Sequence, residues 1–312
     1  MLRCIVILIC FTALFTAKTT YSSTYEESSL KSIESGEVMK IHAEHHGVKK
    51  DLDFSNFLEG WFTPWQTYEE TEDKAPRVPL LRITPAFFKR EVRFNYLYID
   101  DEHHGAADVN EFAFALELPL TLRFKLDIES KLLHVNTVED SDNVGFGDTR
   151  LALRAMLFEN NTVSLSTGSV INIPTGDADR ELGEEITTLG QQLACWIDLG
   201  HRISLHTFLG VDVPTGGNDK DDADMEFLYG AAVSKTFTVY ENRVLHGITP
   251  FLELNGHKGF GLDEGKQYFT DLLPGVRWDL CHELYVLAGY EFPLNGSEEF
   301  DKRAWFSIIK DF

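Results

Sequence analysis

Residues 122–129 read Leu-Arg-Phe-Lys-Leu-Asp-Ile-Glu, with every even position apolar and every odd position charged. A period of two belongs to a β-strand, whose successive side chains point to opposite faces. Here the two faces meet different solvents. A soluble sandwich also alternates, but its outward face is seldom wholly charged over such a run. A sheet closed into a barrel in a membrane accounts for both faces, with charges lining water inside and apolar side chains meeting lipid outside.

The same rule governs residues 91–312. Val92, Phe94, Tyr96 and Tyr98 share a face, interleaved with Arg93 and Asn95. Phe112, Phe114, Leu116 and Leu118 form the next apolar face, then Leu122, Phe124, Leu126 and Ile128. Leu151, Leu153, Ala155 and Leu157 alternate with Arg150, Ala152, Arg154 and Met156. Comparable segments follow to the end of the chain. There Ala304, Phe306, Ile308 and Phe312 fall on one face, and Arg303, Ser307 and Asp311 on the other. Long connections are expected near 100–109, 136–145, 174–187, 214–224, 256–267 and 294–301, with short ones near 119, 159, 200, 240–245 and 281. Alternating short turns and long loops mark an up-and-down transmembrane barrel, and an even strand number leaves both ends on one side. The expected fold is all-β, an antiparallel barrel of about twelve strands, each long enough to cross the apolar layer when tilted. Closure removes the unpaired edges that lipid would not tolerate.

The amino-terminal third follows other rules. Arg3, an apolar run from Ile5 to Ala17 and small polar residues after it read as a secretory signal peptide over residues 1–22. The run is too short to cross a bilayer as a helix. Residues 23–78 read as a periplasmic lead or a plug-like segment, and residues 79–312 as the barrel. The cluster His42-Ala43-Glu44-His45-His46 has metal-ligand chemistry, but it is read as part of a solvated polar tail. Glu59-Gly60-Trp61-Phe62-Thr63-Pro64-Trp65 suits packing at a barrel mouth or at the membrane interface. Leu80–Phe88 reads either as an extension of the first strand or as an inward-folded lead. Cys195 and Cys281, the cysteines beyond the signal segment, are expected to be unpaired. No catalytic, cofactor or metal residue is assigned; the acidic run Asp219–Asp224 lacks the spacing of a calcium loop.

The 312 residues carry a net charge of −22, with 43% hydrophobic and 25% charged residues. That acidity argues against nucleic acid as a partner.

Several short motifs carry a resemblance. They are Gly145-Phe146-Gly147-Asp148, Pro174-Thr175-Gly176-Asp177, Thr249-Pro250-Phe251-Leu252-Glu253-Leu254-Asn255-Gly256, Pro274-Gly275-Val276-Arg277-Trp278 and Gly289-Tyr290-Glu291-Phe292-Pro293. With the aromatic carboxyl terminus, they make residues 90–312 resemble the bacterial outer-membrane barrels labelled meta-pathway phenol-degradation or transporter-like proteins. The resemblance implies an outer-membrane barrel passing small hydrophobic or aromatic solutes, and no catalytic residues. A terminal strand that closes on an aromatic residue also resembles the signal read by the barrel-assembly machinery, here Phe306, Ile308 and Phe312.

The strand register turns Arg93, Arg123, Lys125, Asp127, Glu129, Arg150, Arg154, Arg202, His206, Asp212, Glu253, Arg277, Glu291 and Arg303 to the lumen. An open pore would use them to set selectivity; a filled barrel would pair them. The expected function is a channel or transporter for small solutes in the outer membrane, with lipids, the assembly machinery and the solute as partners. A filled structural barrel and a barrel hydrolase are the alternatives. The hydrolase needs a Ser–His pair, and no G-x-S-x-G context surrounds any serine.

Overall fold

The computed structural model describes residues 51–68, 73–102, 107–137, 142–217, 224–238, 245–260, 268–281, 283–295 and 300–312. The signal segment, residues 23–50 with their histidine cluster, and 218–223 of the acidic run lie outside the described residues.

The strands are β1 (Glu91–Glu102), β2 (Ala107–Pro119), β3 (Phe124–Thr137), β4 (Asp142–Glu159), β5 (Val163–Ile173), β6 (Ile186–Asp198), β7 (Ile203–Gly217), β8 (Met225–Lys235), β9 (Phe237–Thr238), β10 (Gly247–Phe260), β11 (Phe269–Cys281), β12 (Leu284–Pro293) and β13 (Lys302–Asp311). The two-residue β9 continues β8 beyond Thr236 and pairs with the first residues of β10, so the wall has twelve staves. Each pairs antiparallel with its neighbours in sequence. β1 and β13 close the ring, from Glu91 opposite Asp311 to Asp100 opposite Lys302. The chain thus forms the closed, all-β, up-and-down barrel that the alternation predicts. The end carrying Glu91 and Asp311 is termed the base and the opposite end the rim.

The outer face is apolar. Phe112, Phe114, Leu153, Leu189, Leu193, Leu209, Val233, Leu252 and Phe306 are all exposed. Their in-register neighbours Ala113, Ala152, Ala194, Ala232 and Ser307 are buried. A soluble protein shows the reverse. Such a belt fits hydrocarbon as its solvent.

Three expectations need correction. The connections at 100–109 and 136–145 are shorter than the polarity of those stretches suggests, because β1 runs on to Glu102 and β2 starts at Ala107, while β3 reaches Thr137 and β4 starts at Asp142. Polar residues continue the ladder there with their own links, such as Lys302 Nζ to Asp100 Oδ2 at 2.6 Å and the Tyr96 hydroxyl donating to Asn110 Oδ1 at 2.8 Å. Pro174 ends β5 as expected, but Pro214 lies within β7. It sits opposite Thr188, where the register shifts, and an irregularity of that kind tolerates a residue without an amide donor. Leu122 does not share the lipid face of Phe124. It lies in the turn before β3 and is buried with Leu52, Phe88 and Met156.

The β5–β6 connection folds over the rim. The Asp148 carboxylate accepts the amides of Gly176 at 2.9 Å and Glu184 at 2.8 Å, holding both arms of the loop. Leu182 at its tip is buried with Leu97, Ile99, Val109, Val135, Phe269 and Phe300. A Cβ at Gly145 would lie 2.6 Å from Leu182 Cδ1, so the glycine of that motif makes room for the leucine. The result is an inward apolar cluster across the rim.

Candidate functional site: a plugged lumen

The described chain begins beneath the barrel. Leu52 bridges to Glu159, and Pro64 to Thr121. Trp65 packs against the cluster of Leu52, Phe88, Leu122 and Met156 and lies under the guanidinium of Arg90, 5.1 Å from the ring centre. The aromatic stretch therefore rests on the base. Tyr68 donates its hydroxyl to Asp51 at 2.9 Å; burial and that carboxylate raise its pKa.

Arg123 is the fastener of this region. It immediately precedes β3 and is fully buried. Its guanidinium donates to the carbonyls of Glu59 at 2.6 Å, Met156 at 2.9 Å and Asn56 at 3.0 Å, and to Asn56 Oδ1 at 2.9 Å. The expected lumen-lining arginine instead spends its donors on backbone carbonyls of the leading segment. A guanidinium offers five donors in a planar fork, so it can hold several carbonyls at once.

From Ala75 the chain enters the barrel. The Ala75 amide donates to Asp198 at 3.2 Å. The Arg77 guanidinium stacks 4.5 Å over Trp196 and donates to Ser164 at 3.2 Å. Val78, Leu80 and Ile83 bury themselves against Ala232, Phe251, Leu273, Leu287 and Ile309, on the inner face of β8 and β10–β13. A Cβ at Gly289 would lie 2.6 Å from Leu81 Cδ1; that glycine accommodates the segment. The chain then turns back, and Phe87 meets Trp196 and His206 edge-on, with ring centres 6.3 and 6.2 Å apart. Leu80–Phe88 is thus an inward-folded lead and adds no strand.

The tip of this plug is held by one carboxylate. Glu253, fully buried in mid-β10, accepts the amides of Leu81 at 2.8 Å, Arg82 at 3.1 Å and Ile83 at 2.8 Å. Three consecutive amides on one carboxylate form an anion nest in which the protein supplies its own anion. The Arg82 side chain reaches Asp271 at 2.8 Å and also pairs with Glu291. Arg303 lies 3.6 Å from the same Glu291, which also accepts the Trp305 indole N–H. Lower down, Arg277 pairs with Asp279 at 2.8 Å and lies 3.8 Å over the Tyr285 ring.

The facing wall carries a ladder of charges. Arg93 pairs with Glu91, and with Glu117 at 2.9 Å. Lys125 joins Glu117 to Asp127, at 3.1 Å from the latter. Arg154 Nε donates to Asp127 at 2.6 Å. Such pairs fix geometry more than they add stability, since each ion forfeits its hydration. Between ladder and plug tip lies a cavity of about 100 Å³, lined by Leu81–Pro85, Asn95, Glu129, Arg150 and Arg154 among others.

Of the predicted lumen residues, Arg93, Lys125, Asp127, Glu129, Arg150 and Arg154 gather on the ladder wall. Glu253, Glu291 and Arg303 gather at the plug tip, with Arg277 on the same wall. His206 and Asp212 face inward on β7, and Arg202 lies in the turn before it. Ser204 sits 3.2 Å from His206 Nε2, and among the described residues His206 Nδ1 has no hydrogen-bond partner, in particular no carboxylate. Sequence reasoning missed Arg82, Glu117, Gln192 and Asp271. Glu117 lies between Leu116 and Leu118, and that alternation was the available signal; Gln192 follows Gln191 and Asp271 follows Thr270, so their faces are not marked in this way. Among the described residues no group of three His, Cys, Asp or Glu side chains forms a metal cluster.

The family described as "Putative MetA-pathway of phenol degradation" matches residues 90–299. The chain belongs to that family. No curated protein matches it. An outer membrane channel from Pseudomonas putida F1 aligns over 79% of this chain and all of its own length, at 16% identity and a TM-score of 0.52. The NanC porin aligns over 72% of this chain and 99% of its own, at 10% identity and a TM-score of 0.50. The chain is therefore similar in fold to bacterial outer-membrane barrels; at these identities the likeness is one of fold alone. The family match begins at residue 90, so plug residues 75–88 lie outside it.

Proposed function

We propose that the protein is a channel of the bacterial outer membrane, held closed by its own residues 75–88, that passes small solutes when this segment withdraws. The carrying observation is the tip clamp. Glu253 binds three plug amides and Arg82 binds two wall carboxylates, while nearer the base the plug is held by the Ala75 and Arg77 hydrogen bonds and by packing. The apolar outer face supports lipid as the surrounding solvent. The outward Phe306, Ile308 and terminal Phe312 suit recognition by the assembly machinery, and residues 1–22 suit export. The inward apolar cluster at the rim supports solutes with an apolar body, in keeping with the family's description.

Planar-bilayer recording tests this. Wild type is expected to be silent or to open rarely, and Arg82→Ala with Glu253→Ala to show discrete steps. Silence in both, with each barrel shown to be folded by its heat-modifiable gel mobility, would leave a filled structural barrel. The density of the ladder is the observation that favours that second reading.

A further inference from the structure

The signs along the ladder alternate through Glu91, Arg93, Glu117, Lys125, Asp127 and Arg154. Beyond Arg154 the alternation breaks. Arg154 Nη2 donates to Gln192 Oε1 at 3.1 Å, and Arg150 Nη2 reaches the same oxygen at 3.5 Å. Two guanidiniums, four residues apart on one face of β4, therefore converge on a single neutral amide oxygen. Arg154 is 3% exposed, and its Nη1 has no hydrogen-bond partner among the described residues. Asp127 is already committed to Lys125 and to Arg154 Nε. Glu129 stands opposite Arg150 across the strand pair without an ion pair to it among the described residues, and Asp212 Oδ1 is likewise unpartnered. Both guanidiniums border the cavity of about 100 Å³. Water takes about 30 Å³ in the liquid, so the space suits a small head group and excludes a large ligand.

We infer that Arg150 and Arg154 form a binding site for the carboxylate of a small solute, with Gln192 as the neutral group that marks the place. Guanidiniums bind carboxylates through paired, charge-assisted hydrogen bonds that are roughly twice as strong as neutral ones. An amide oxygen between two such cations is the weaker partner. The site faces plug residues Leu81–Pro85 across the cavity, apart from the Glu253 clamp. It deepens the channel reading by naming the chemistry of a solute.

Gln192→Glu supplies the carboxylate from the protein itself, so it is the decisive variant. The readout is the temperature at which the heat-modifiable barrel band is half lost, in sodium acetate and in sodium chloride of equal ionic strength. A ligand that binds only the folded state raises this midpoint with the logarithm of its concentration once above its dissociation constant. In wild type, acetate is expected to raise it above the chloride control. Gln192→Glu is expected to have a higher midpoint without acetate and no further rise with it, and Arg150→Gln to lose the rise. No acetate effect beyond chloride in wild type, or an undiminished effect in Gln192→Glu, would overturn the inference. Should Arg150→Gln fail to fold, Gln192→Glu still decides. The readout needs no conduction. Acetate protection with a silent Glu253→Ala barrel would sink the plug and keep the site; conduction without protection would do the reverse.

Discussion

Replacing Glu253 by alanine should release the plug while leaving the wall intact. The carboxylate faces inward and takes part in no strand pairing; its partners are the amides of Leu81, Arg82 and Ile83. A hydrogen bond to a charged group contributes about 1.5–3 kcal/mol. Three on one carboxylate are not additive, so about 4 kcal/mol is a moderate sum for docking the tip. At about 1.4 kcal/mol per factor of ten, that is roughly a thousandfold shift toward the undocked plug. Glu253→Gln keeps one acceptor oxygen and loses the charge, so its shift is expected to fall between wild type and alanine. The assay is single-channel recording of purified barrels, scored as open probability, with gel mobility reporting the fold. Should Glu253→Ala stay as silent as wild type while fully folded, the clamp does not hold the lumen closed. Should Gln open more than Ala, the charge-assisted nest is not the source of the effect.

Three other substitutions probe separate parts. Arg123→Ala removes donors to at least four acceptors at the base; it should make residues 51–66 cleavable by protease while the barrel stays folded, and unchanged protection would refute its fastening role. Leu182→Ala empties part of the rim cluster, and a buried leucine truncation costs about 2–5 kcal/mol; faster proteolysis of the β5–β6 connection is expected, and an unchanged cleavage rate would show that the loop is held by Asp148 alone. Deleting Phe312 should lower the fraction of chain recovered as heat-modifiable barrel in the outer membrane several-fold, with little change in the stability of what does assemble; an undiminished yield would remove this residue from the assembly signal.

The wall was legible in the sequence because lipid and water impose opposite demands on alternate residues. Phe124, Leu126 and Ile128 against Lys125, Asp127 and Glu129 state the register without any other strand. The ends of the strands were not legible. Asp100 and Lys302 look like loop residues, yet they bond across the ladder, and polarity alone does not separate a solvated strand from a solvated turn. The filling was harder still. Leu80, Ile83 and Phe87 follow no period, because an irregular chain inside a closed wall is shaped by the pockets it meets. Its polar partners come from strands far away in sequence, as Glu253 does. Arg123 shows the limit of a register argument: its face was read as inward, but the turn before β3 sends its side chain to the leading segment's carbonyls.

The order of the layers bears on which end opens. At the rim, Leu182 meets six apolar side chains, and parting them would expose hydrocarbon surface to water. At the plug tip the Glu253 amides and the Arg82 carboxylates lie beside the apolar contacts of Leu80 and Ile83, and water can replace the polar partners alone. The polar part of the cost of moving the tip therefore falls as water enters, whereas the cost of parting the apolar rim cluster does not. Opening that starts at the tip needs the plug's return path free, and that path runs to the base past Phe87, Trp196 and His206. A disulfide engineered between the plug tip and the wall should accordingly keep the Glu253→Ala barrel closed until it is reduced. Tethering the β5–β6 connection to the rim should leave the Glu253→Ala openings in place but block a solute too large to pass the apolar cluster. Equal loss of conductance from both tethers would mean that rim and plug move as one, and the layered order would not govern gating.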